Sequence, residues 1–346
     1  MLTARENFYQ AAKGLNPERF ANQYEAIQLL FNPFFLHSPG AVRGGPEVVN
    51  AWGITNVFPE NSPGGFPVHT PDKIVIKDIE HWQDYVHAPS LKFPDEEWEM
   101  FKAQYDAVDT TKAYKACFVA PGLFEQCHHL GEIQNTLMNL YEYEDEMHDL
   151  IKYLRDFELE LAEGICTHLK PDMLFHHDDF GSRTSTFMKP DMWEDFYVEP
   201  YKEVYGYYKT HGCELIVHHS DSYGATLVPS LIEMGVDVWQ GCMSSNNIPE
   251  LNKKYKGQIS FMGGFDGADF DSPDWTPEGV RQMTWDILEQ NEPSGFIPCI
   301  AQGDPGSIYV GVYETIRETI DEYNEVKFGF KRENIDRLEE QVDMFR

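Results

Sequence analysis

The chain has 346 residues and carries 58 acidic against 27 basic side chains, a formal net charge of −31 at pH 7. Such a surface repels phosphate backbones and anionic lipids, which argues against a nucleic-acid-binding or membrane-surface protein. Hydrophobic residues make up 42% of the chain and aromatic residues 14%, which is enough for a large core and argues against disorder. The acidity fits a solvated surface, with a docking surface for a basic protein as the alternative.

The termini and the cysteines predict a cytoplasmic protein. The six cysteines are scattered without a Cys-x-x-Cys pair, as is typical of a reducing compartment. The first 14 residues contain Glu6 and lack the apolar core of a secretory signal. The apolar stretches fall far short of the roughly 18 residues that span a bilayer.

The first 110 residues are irregular and rich in proline and aromatic residues, so we expect an N-terminal elaboration with a strand at 73–77 and a short helix at 78–87. From 111 to 330 short apolar runs alternate with amphipathic stretches, which predicts six βα units. The predicted strands lie at 116–122, 172–177, 213–219, 236–241, 258–264 and 295–301, and the helices at 131–168, 190–211, 224–235, 248–256, 277–291 and 309–326. We expect residues 331–346 to form a C-terminal helix or tail.

Polar residues at the strand ends distinguish a closed barrel from an open sheet. The endings are Phe124-Glu125, His176-His177-Asp178-Asp179, His218-His219-Ser220-Asp221, Gln240-Gly241-Cys242, Gly264-Phe265-Asp266, and Cys299 with Gln302. Groups on so many βα loops converge only if the strands close into a ring with one mouth. A doubly wound sheet usually carries a Gly-x-Gly-x-x-Gly or P-loop motif, and the sequence has neither. We therefore predict an α/β fold, a single-domain (β/α)8 TIM barrel with an N-terminal elaboration.

The segment 216–241 carries the strongest chemical signal. His219 and Asp221 lie two residues apart at a strand end, so both side chains can face one cavity. Imidazole and carboxylate are zinc ligands, and Cys299, two strands later, can add a thiolate. His218 points the opposite way if the strand is regular. The alternative is that His219 and Asp221 only hydrogen-bond each other.

The segment 175–190 supplies candidate catalytic groups. Adjacent carboxylates shift each other's proton affinity, so Asp178 or Asp179 can hold a proton near neutral pH and act as a general acid beside His177. The alternative is that one of the two caps a turn, since Asp is a favoured capping residue. Glu125 can hydrogen-bond a substrate or begin the helix that follows.

The remaining polar strand-end residues are candidate substrate contacts. With Glu125, they are His176, His218, Cys242 and Gln302. Aromatic residues in the N-terminal segment admit a flat apolar substrate pocket, with core packing as the alternative. They are Phe31, Phe34, Phe35, Trp52, Phe58 and Phe66.

Several motifs together resemble one enzyme superfamily. They are LVPSLIEMGVDVWQ (227–240) at its spacing from His219, ISFMGGFD (259–266), TPEGVRQ (276–282), GFIPCIAQG (295–303), and the early NAWGITNVFPE and GGFPVHTPDKIVIKDIEHWQDYV segments followed by HHDDFGS. These resemble the uroporphyrinogen decarboxylase superfamily, in particular its corrinoid-dependent methyltransferase branch. The early pattern is most similar to the aryl methyl ether O-demethylase methyltransferases of anaerobic bacteria. The resemblance covers nearly the whole chain and implies a barrel.

The resemblance implies transfer of a methyl group from a small methoxylated, aromatic donor to the Co(I) centre of a corrinoid carried by a separate protein. A phenolate oxygen leaves poorly unless its developing charge is neutralised, so the implied aid is a zinc ion or a proton on Asp179. Family members often carry a His-x-Cys-Gly pair, whereas this chain has Asp221 and Ser222 at the last two positions. Cys299 or Gln302 falls near the family's second cysteine. A His/Asp/Cys set suits an oxygen donor better than a thiol.

Several alternatives stay open. Methyl transfer involving a thiol, an amine or a betaine belongs to the same branch. Decarboxylation of a uroporphyrinogen-type substrate needs arginines for the acidic side chains of the tetrapyrrole, and the only arginines among the first hundred residues are Arg5, Arg19 and Arg43, none of them in an Arg-rich motif. A non-catalytic binding barrel fits the altered His-x-Cys pair. Whether zinc binds, and whether the chain forms a homodimer, is left open by the sequence.

Overall fold

The computed structural model describes residues 1–60, 62, 64–302 and 309–338. The N-terminal elaboration consists of α1 (Ala4–Ala12), β1 (Ile27–Leu30), α2 (Phe34–His37), a small antiparallel sheet of β2 (Val48–Val49), β3 (Thr55–Val57) and β4 (Phe66–Pro67), a 3-10 helix over Ile79–Asp84, and α3 (Asp95–Asp106). Helix α1 begins at a capping box, in which Thr3 and Glu6 each bond the other's backbone amide.

A seven-stranded parallel sheet forms the barrel. Its strands after β1 are β5 (Tyr114–Val119), β6 (Met173–His177), β7 (Leu215–His219), β8 (Val238–Cys242), β9 (Ser260–Phe265) and β10 (Phe296–Ile300). They pair in the order β1-β5-β6-β7-β8-β9-β10. At the seam between β1 and β10, the Gln23 amide donates to the Pro298 carbonyl at 3.1 Å. The predicted barrel is confirmed, with seven paired strands in the described part of the chain.

The helices after the first barrel strands pack outside the sheet. They are α4 (Leu123–Gly131), α5 (Ile133–Glu142), α6 (Glu144–His168), α7 (Pro190–Trp193), α8 (Glu199–Thr210) after a π-helical turn at Glu194–Val198, α9 (Val228–Met234), α10 (Ile248–Tyr255), α11 (Gly267–Phe270), α12 (Pro277–Gln290) and α13 (Val312–Phe328). The long helix predicted at 131–168 forms as two helices, α5 and α6, because the backbone leaves the helical conformation at Tyr143, which has a φ of −137° and a ψ of +55°.

Two N-terminal predictions need correction. The strand predicted at 73–77 does not form, since the Val75 and Ile76 amides donate to the Leu130 carbonyl at the end of α4 instead of to a strand. Strand β1 was not predicted, and it pairs with β5. The helix predicted at 78–87 is the 3-10 helix.

The C-terminal prediction is tested only in part. Within 331–338 the structure contains a 3-10 turn at Arg332–Asn334, and residues 339–346 lie outside the described residues.

The barrel strands are buried on both faces, which explains their apolar runs. Helix α6 presents an apolar face that includes the buried Leu150, Leu154 and Leu161. All six cysteines are buried and free. Among the described residues, no helix combines the length and the apolar character needed to cross a membrane.

Substitution of Gln23 tests the seam between β1 and β10. Its side chain is fully buried, and its Oε1 accepts from the Ile300 amide at 3.4 Å. Gln23→Ala would leave that amide without an acceptor, so we expect the free energy of unfolding in urea to fall by about 1–3 kcal/mol. Gln104→Ala, at an exposed position of α3, is the matched control and should change it by less than about 0.5 kcal/mol. Equal losses in the two variants would contradict the seam assignment.

Candidate functional site

The pairing of β6 with β7 brings two histidines together at the ends of these strands. His177 and His219 are register partners, and their rings stack with centroids 4.4 Å apart and planes 24° apart. Side chains alternate between the faces of a strand, so both rings lie on the face opposite to that of His176 and His218.

Each of the two rings has one nitrogen fixed by an outer partner. Glu125 of α4 bonds His177, with Oε2 2.8 Å from Nδ1. Gln240 of β8 bonds His219 through its Oε1 and the ring Nδ1. An amide oxygen only accepts, so Nδ1 of His219 carries the proton and its Nε2 lone pair is available. This Nε2 lies 3.9 Å from Oδ1 of Asp179.

His177, Asp179 and His219 form a candidate metal centre. One ligand atom from each of the three lies within 4.8 Å of the other two. Two imidazoles and a carboxylate suit zinc, and outer partners such as Glu125 and Gln240 are typical of zinc-bound histidines. The Asp221 amide donates to Oδ1 of Asp179 at 2.9 Å, which helps to orient that carboxylate.

This candidate group differs from the predicted metal ligands and shares only His219 with them. The Asp221 carboxyl lies beside Asp179 but outside the compact group. Cys299 is fully buried, and its sulfur is hydrogen-bonded by Tyr24 and Gln240. Burial raises the pKa of Cys299 far above its usual range, so the residue is a thiol in the metal-free protein.

Burial and neighbouring charges shift the pKa values of His177, His219 and Asp221 in different directions. Burial opposes the charged form of His177, but the Glu125 and Asp179 carboxylates raise its pKa to about 10. Burial, and then the neighbouring His177, lower the pKa of His219 to about 4. Burial, and then Asp179, raise the pKa of Asp221 to about 8. In the absence of a metal the site therefore pairs a charged imidazole with a neutral one.

Asp178 contacts the start of α4 and α8 through its carboxylate, away from the histidine pair. Its carboxylate accepts from the Phe124 and Glu125 amides at 3.1 and 2.7 Å and from the Tyr201 hydroxyl. Burial, and then the Glu125 carboxylate, raise the pKa of Asp178 to about 7. The residue thus holds the N-terminus of α4 against β6 and α8, while Asp179 turns toward the histidine pair. Of the two adjacent aspartates, Asp178 is the one that caps a helix. The helix is α4, which precedes Asp178 in the chain, and not the turn that follows it.

His176 and His218 lie behind the sheet. His176 bonds Glu158 of α6 through Nε2 at 3.1 Å, and the Tyr205 hydroxyl of α8 lies 3.1 Å from its Nδ1. The same hydroxyl lies 2.7 Å from Nδ1 of His218. Both rings are fully buried, so their placement does not support the substrate contact that we predicted.

The other predicted substrate contacts lie in different surroundings. Cys242 is fully buried next to a β-bulge between β8 and β9, so its placement does not support a substrate contact. Gln302 follows β10 and reaches toward Gly267 at the start of α11. Glu125 acts on His177. Gln240, which we had not assigned a role, orients His219, and its signal was its position in register with His219 on the next strand.

An aromatic series connects the N-terminal elaboration to the histidine pair. Phe31 packs on Phe118 with ring centroids 5.9 Å apart, Phe118 lies 6.3 Å from His177, and Phe175 lies 6.1 Å from His219. Phe34, Phe35 and Trp52 line a cleft between β5 and α6, and Phe35 also contacts Phe31 and Phe118. Phe58 packs under Arg43, and Phe66 is exposed, so these two lie outside both features.

Comparisons with known proteins identify a matching sequence family and similar folds. The family profile Uroporphyrinogen decarboxylase (URO-D) matches residues 64–323. A search of curated proteins finds no match. A methyltransferase from Methanosarcina mazei has a similar structure, with a TM-score of 0.66 and 12% identity over 93% of this chain and 99% of that one. A B12-independent methionine synthase from Shewanella sp. W3-18-1 has a TM-score of 0.44 and 16% identity over 70% and 69% of the two chains.

Asp178→Ala tests the structural role of that carboxylate. The change leaves two backbone amides and the Tyr201 hydroxyl without their acceptor, so we expect the free energy of unfolding to fall by about 2–4 kcal/mol. Asp84→Ala, at an exposed position, is the control and should change it by less than about 0.5 kcal/mol. Denaturant unfolding followed by circular dichroism measures both. A variant as stable as the wild type would show that Asp178 does not anchor α4.

Proposed function

The chain belongs to the uroporphyrinogen decarboxylase family, and we propose that it transfers a methyl group from a methoxylated aromatic donor to the Co(I) centre of a corrinoid protein. The observation that carries the proposal is the group of His177, Asp179 and His219 at the end of an aromatic wall. A metal-binding group next to a flat apolar surface suits a donor with an aromatic ring and an oxygen-linked methyl group. We propose a cytoplasmic location, where the corrinoid partner would be found.

The reaction requires stabilisation of the leaving oxygen. Breaking the carbon–oxygen bond leaves both electrons on the oxygen, so negative charge develops there. A zinc ion held by His177, Asp179 and His219 would supply Lewis-acid stabilisation of that charge. The residues fit such an ion, because Gln240 directs the Nε2 lone pair of His219 toward Asp179 and Glu125 fixes the ring of His177.

The aromatic wall supports the choice of donor. Phe118 and Phe175 lie next to each other, with centroids 5.9 Å apart, and each also contacts one ring of the histidine pair. Phe175 is buried, whereas Phe118 is partly exposed, so a donor stacked on Phe118 would have its methoxy oxygen directed toward the polar group. Holding the methyl donor and the cobalt acceptor in line lowers the activation free energy of such a transfer substantially.

The same geometry disfavours two of the alternatives. Activation of a thiol is typical of thiolate-rich zinc sites, and Cys299 is a buried thiol outside the ligand group. For a tetrapyrrole decarboxylase, the N-terminal arginines would be needed to bind carboxylates of the substrate. Arg5 instead pairs with Asp172, and Arg19 is buried in an ion pair with Glu25.

A reconstitution experiment tests the proposal. The protein with bound zinc is mixed with a reduced corrinoid protein and a panel of methoxylated aromatics, with methylamines, betaine and methylthiols as competing donors. We expect methylation of cobalt, followed by absorbance, from a methoxylated aromatic. His219→Ala should lower the rate by about 100-fold or more, because the zinc loses a ligand.

The control for this experiment is His87→Ala, at an exposed position of the N-terminal elaboration, which should keep the wild-type rate. Methylation from an amine, betaine or thiol alone would contradict the donor assignment. Failure with every donor and every corrinoid protein would support a non-catalytic barrel. A wild-type rate in His219→Ala would contradict the proposed role of this group.

Phe118→Ala tests the aromatic wall. Removing the ring takes away a stacking surface for the donor, so we expect KM for the methoxylated aromatic to rise roughly three- to tenfold. The turnover number should change by less than about twofold, because no group of the metal centre is altered. Phe58→Ala, outside the wall, is the control and should leave KM unchanged. An unchanged KM in Phe118→Ala would place the donor elsewhere.

A further inference from the structure

Helix α4 carries a second group of candidate metal-binding side chains, of which the proposed methyl transfer uses only Glu125, as the partner of His177. Ligand atoms of Glu125, His128 and His129 all lie within 4.8 Å of one another. Their spacing of i, i+3 and i+4 places them on one side of a helix, one turn apart. None of the three belongs to the group of His177, Asp179 and His219.

The backbone that presents these residues is firmly held. Asp178 caps the start of α4, and the Val75 and Ile76 amides both donate to the Leu130 carbonyl at its end. His69 lies 3.1 Å from the His129 carbonyl through its Nε2. A metal site needs ligands on rigid elements, and both ends of this helix are fixed by other parts of the chain.

The two imidazoles have few partners of their own. Their rings meet edge to face, with centroids 4.8 Å apart. In the described part of the chain, no hydrogen bond joins the His129 ring to another side chain, and no ion pair involves either histidine. Glu125 bonds His177 through Oε2 and also accepts from the Asp179 amide, and a carboxylate has further lone pairs for another ligand. Two partly buried imidazoles beside a carboxylate are thus left with free ligand atoms.

We propose that Glu125, His128 and His129 bind a second divalent cation of the zinc type. Two imidazole nitrogens and one carboxylate oxygen are ligands that zinc and other late first-row metals prefer, whereas calcium and magnesium prefer oxygen alone. Glu125 would connect the two sites, since one of its oxygens would face the cation and the other His177. A cation there fixes the side chain that in turn orients His177. The inference does not depend on methyl transfer being the reaction.

Metal stoichiometry tests the inference. The full-length protein is stripped with a chelator, loaded with Zn²⁺ by equilibrium dialysis, and analysed for metal content. We expect two equivalents per chain in the wild type and in the His87→Ala control. His129→Ala and His128→Gln should each retain one tight equivalent, with the second weakened about 100-fold or more. His219→Ala should also retain one, and the combination of His129→Ala with His219→Ala none.

Cobalt spectroscopy identifies which site is filled. Co²⁺ loaded into His219→Ala should give visible absorption from the α4 site alone, and His129→Ala should abolish that contribution. Thermal unfolding of the stripped variants shows whether each is folded, and His128→Gln, at a partly exposed position, is the variant expected to alter folding least. The two variants therefore separate loss of ligands from loss of structure.

The outcomes distinguish the two sites. One equivalent that His219→Ala removes and His129→Ala keeps would overturn the second site and leave the centre of the proposed function intact. One equivalent with the opposite behaviour would support the α4 site and contradict the metal centre of the proposed function. Two equivalents in every variant, or none in the wild type, would overturn the inference.

Discussion

The register between β6 and β7 is the constraint on which the site depends. Each strand ends in two consecutive histidines, and the parallel pairing sets His176 beside His218 and His177 beside His219. Because side chains alternate, one pair faces the metal centre and the other faces the helices. A slip of one residue would exchange the two faces of a strand and separate both pairs. The doubled histidines therefore contribute to the candidate metal centre on one face and to packing on the other.

The pair behind the sheet stabilises the geometry of the pair in front. Glu158, His176, Tyr205 and His218 form a buried chain of hydrogen bonds that connects α6 and α8 to β6 and β7. Buried polar groups are costly when unpaired and rigid when paired, so this chain favours one position of the two strands. Asp178 adds a bond from the same strand end to α4. The outward polar residues thus fix the backbone from which Asp179 and the inner histidines project.

The sequence predicts the barrel well because, after residue 111, short apolar runs typical of buried strands alternate clearly with amphipathic helical stretches. It predicts the N-terminal elaboration poorly, since β1 is four residues long and the apolar run at 73–77 bonds to the end of a helix instead of a strand. At the site, strand alternation correctly separates His218 from His219. It does not reveal which of two adjacent aspartates caps a helix, because that depends on where α4 starts in space. Nor does it show that the Cys299 side chain is fully buried, because burial is a tertiary property.

The position of Asp221 explains why the candidate ligands lie mainly on β6 instead of on the loop after β7. Burial and the neighbouring Asp179 raise the pKa of the Asp221 carboxyl to about 8, so in the metal-free site Asp221 favours its neutral form and supplies its backbone amide to Asp179. Two imidazoles and one carboxylate leave a bound zinc ion with a net positive charge, whereas an imidazole with two thiolates neutralises it. A positive centre polarises a neutral ether oxygen more strongly than a neutral centre does. In our proposal the change away from a thiolate ligand therefore matches a donor whose leaving atom is oxygen.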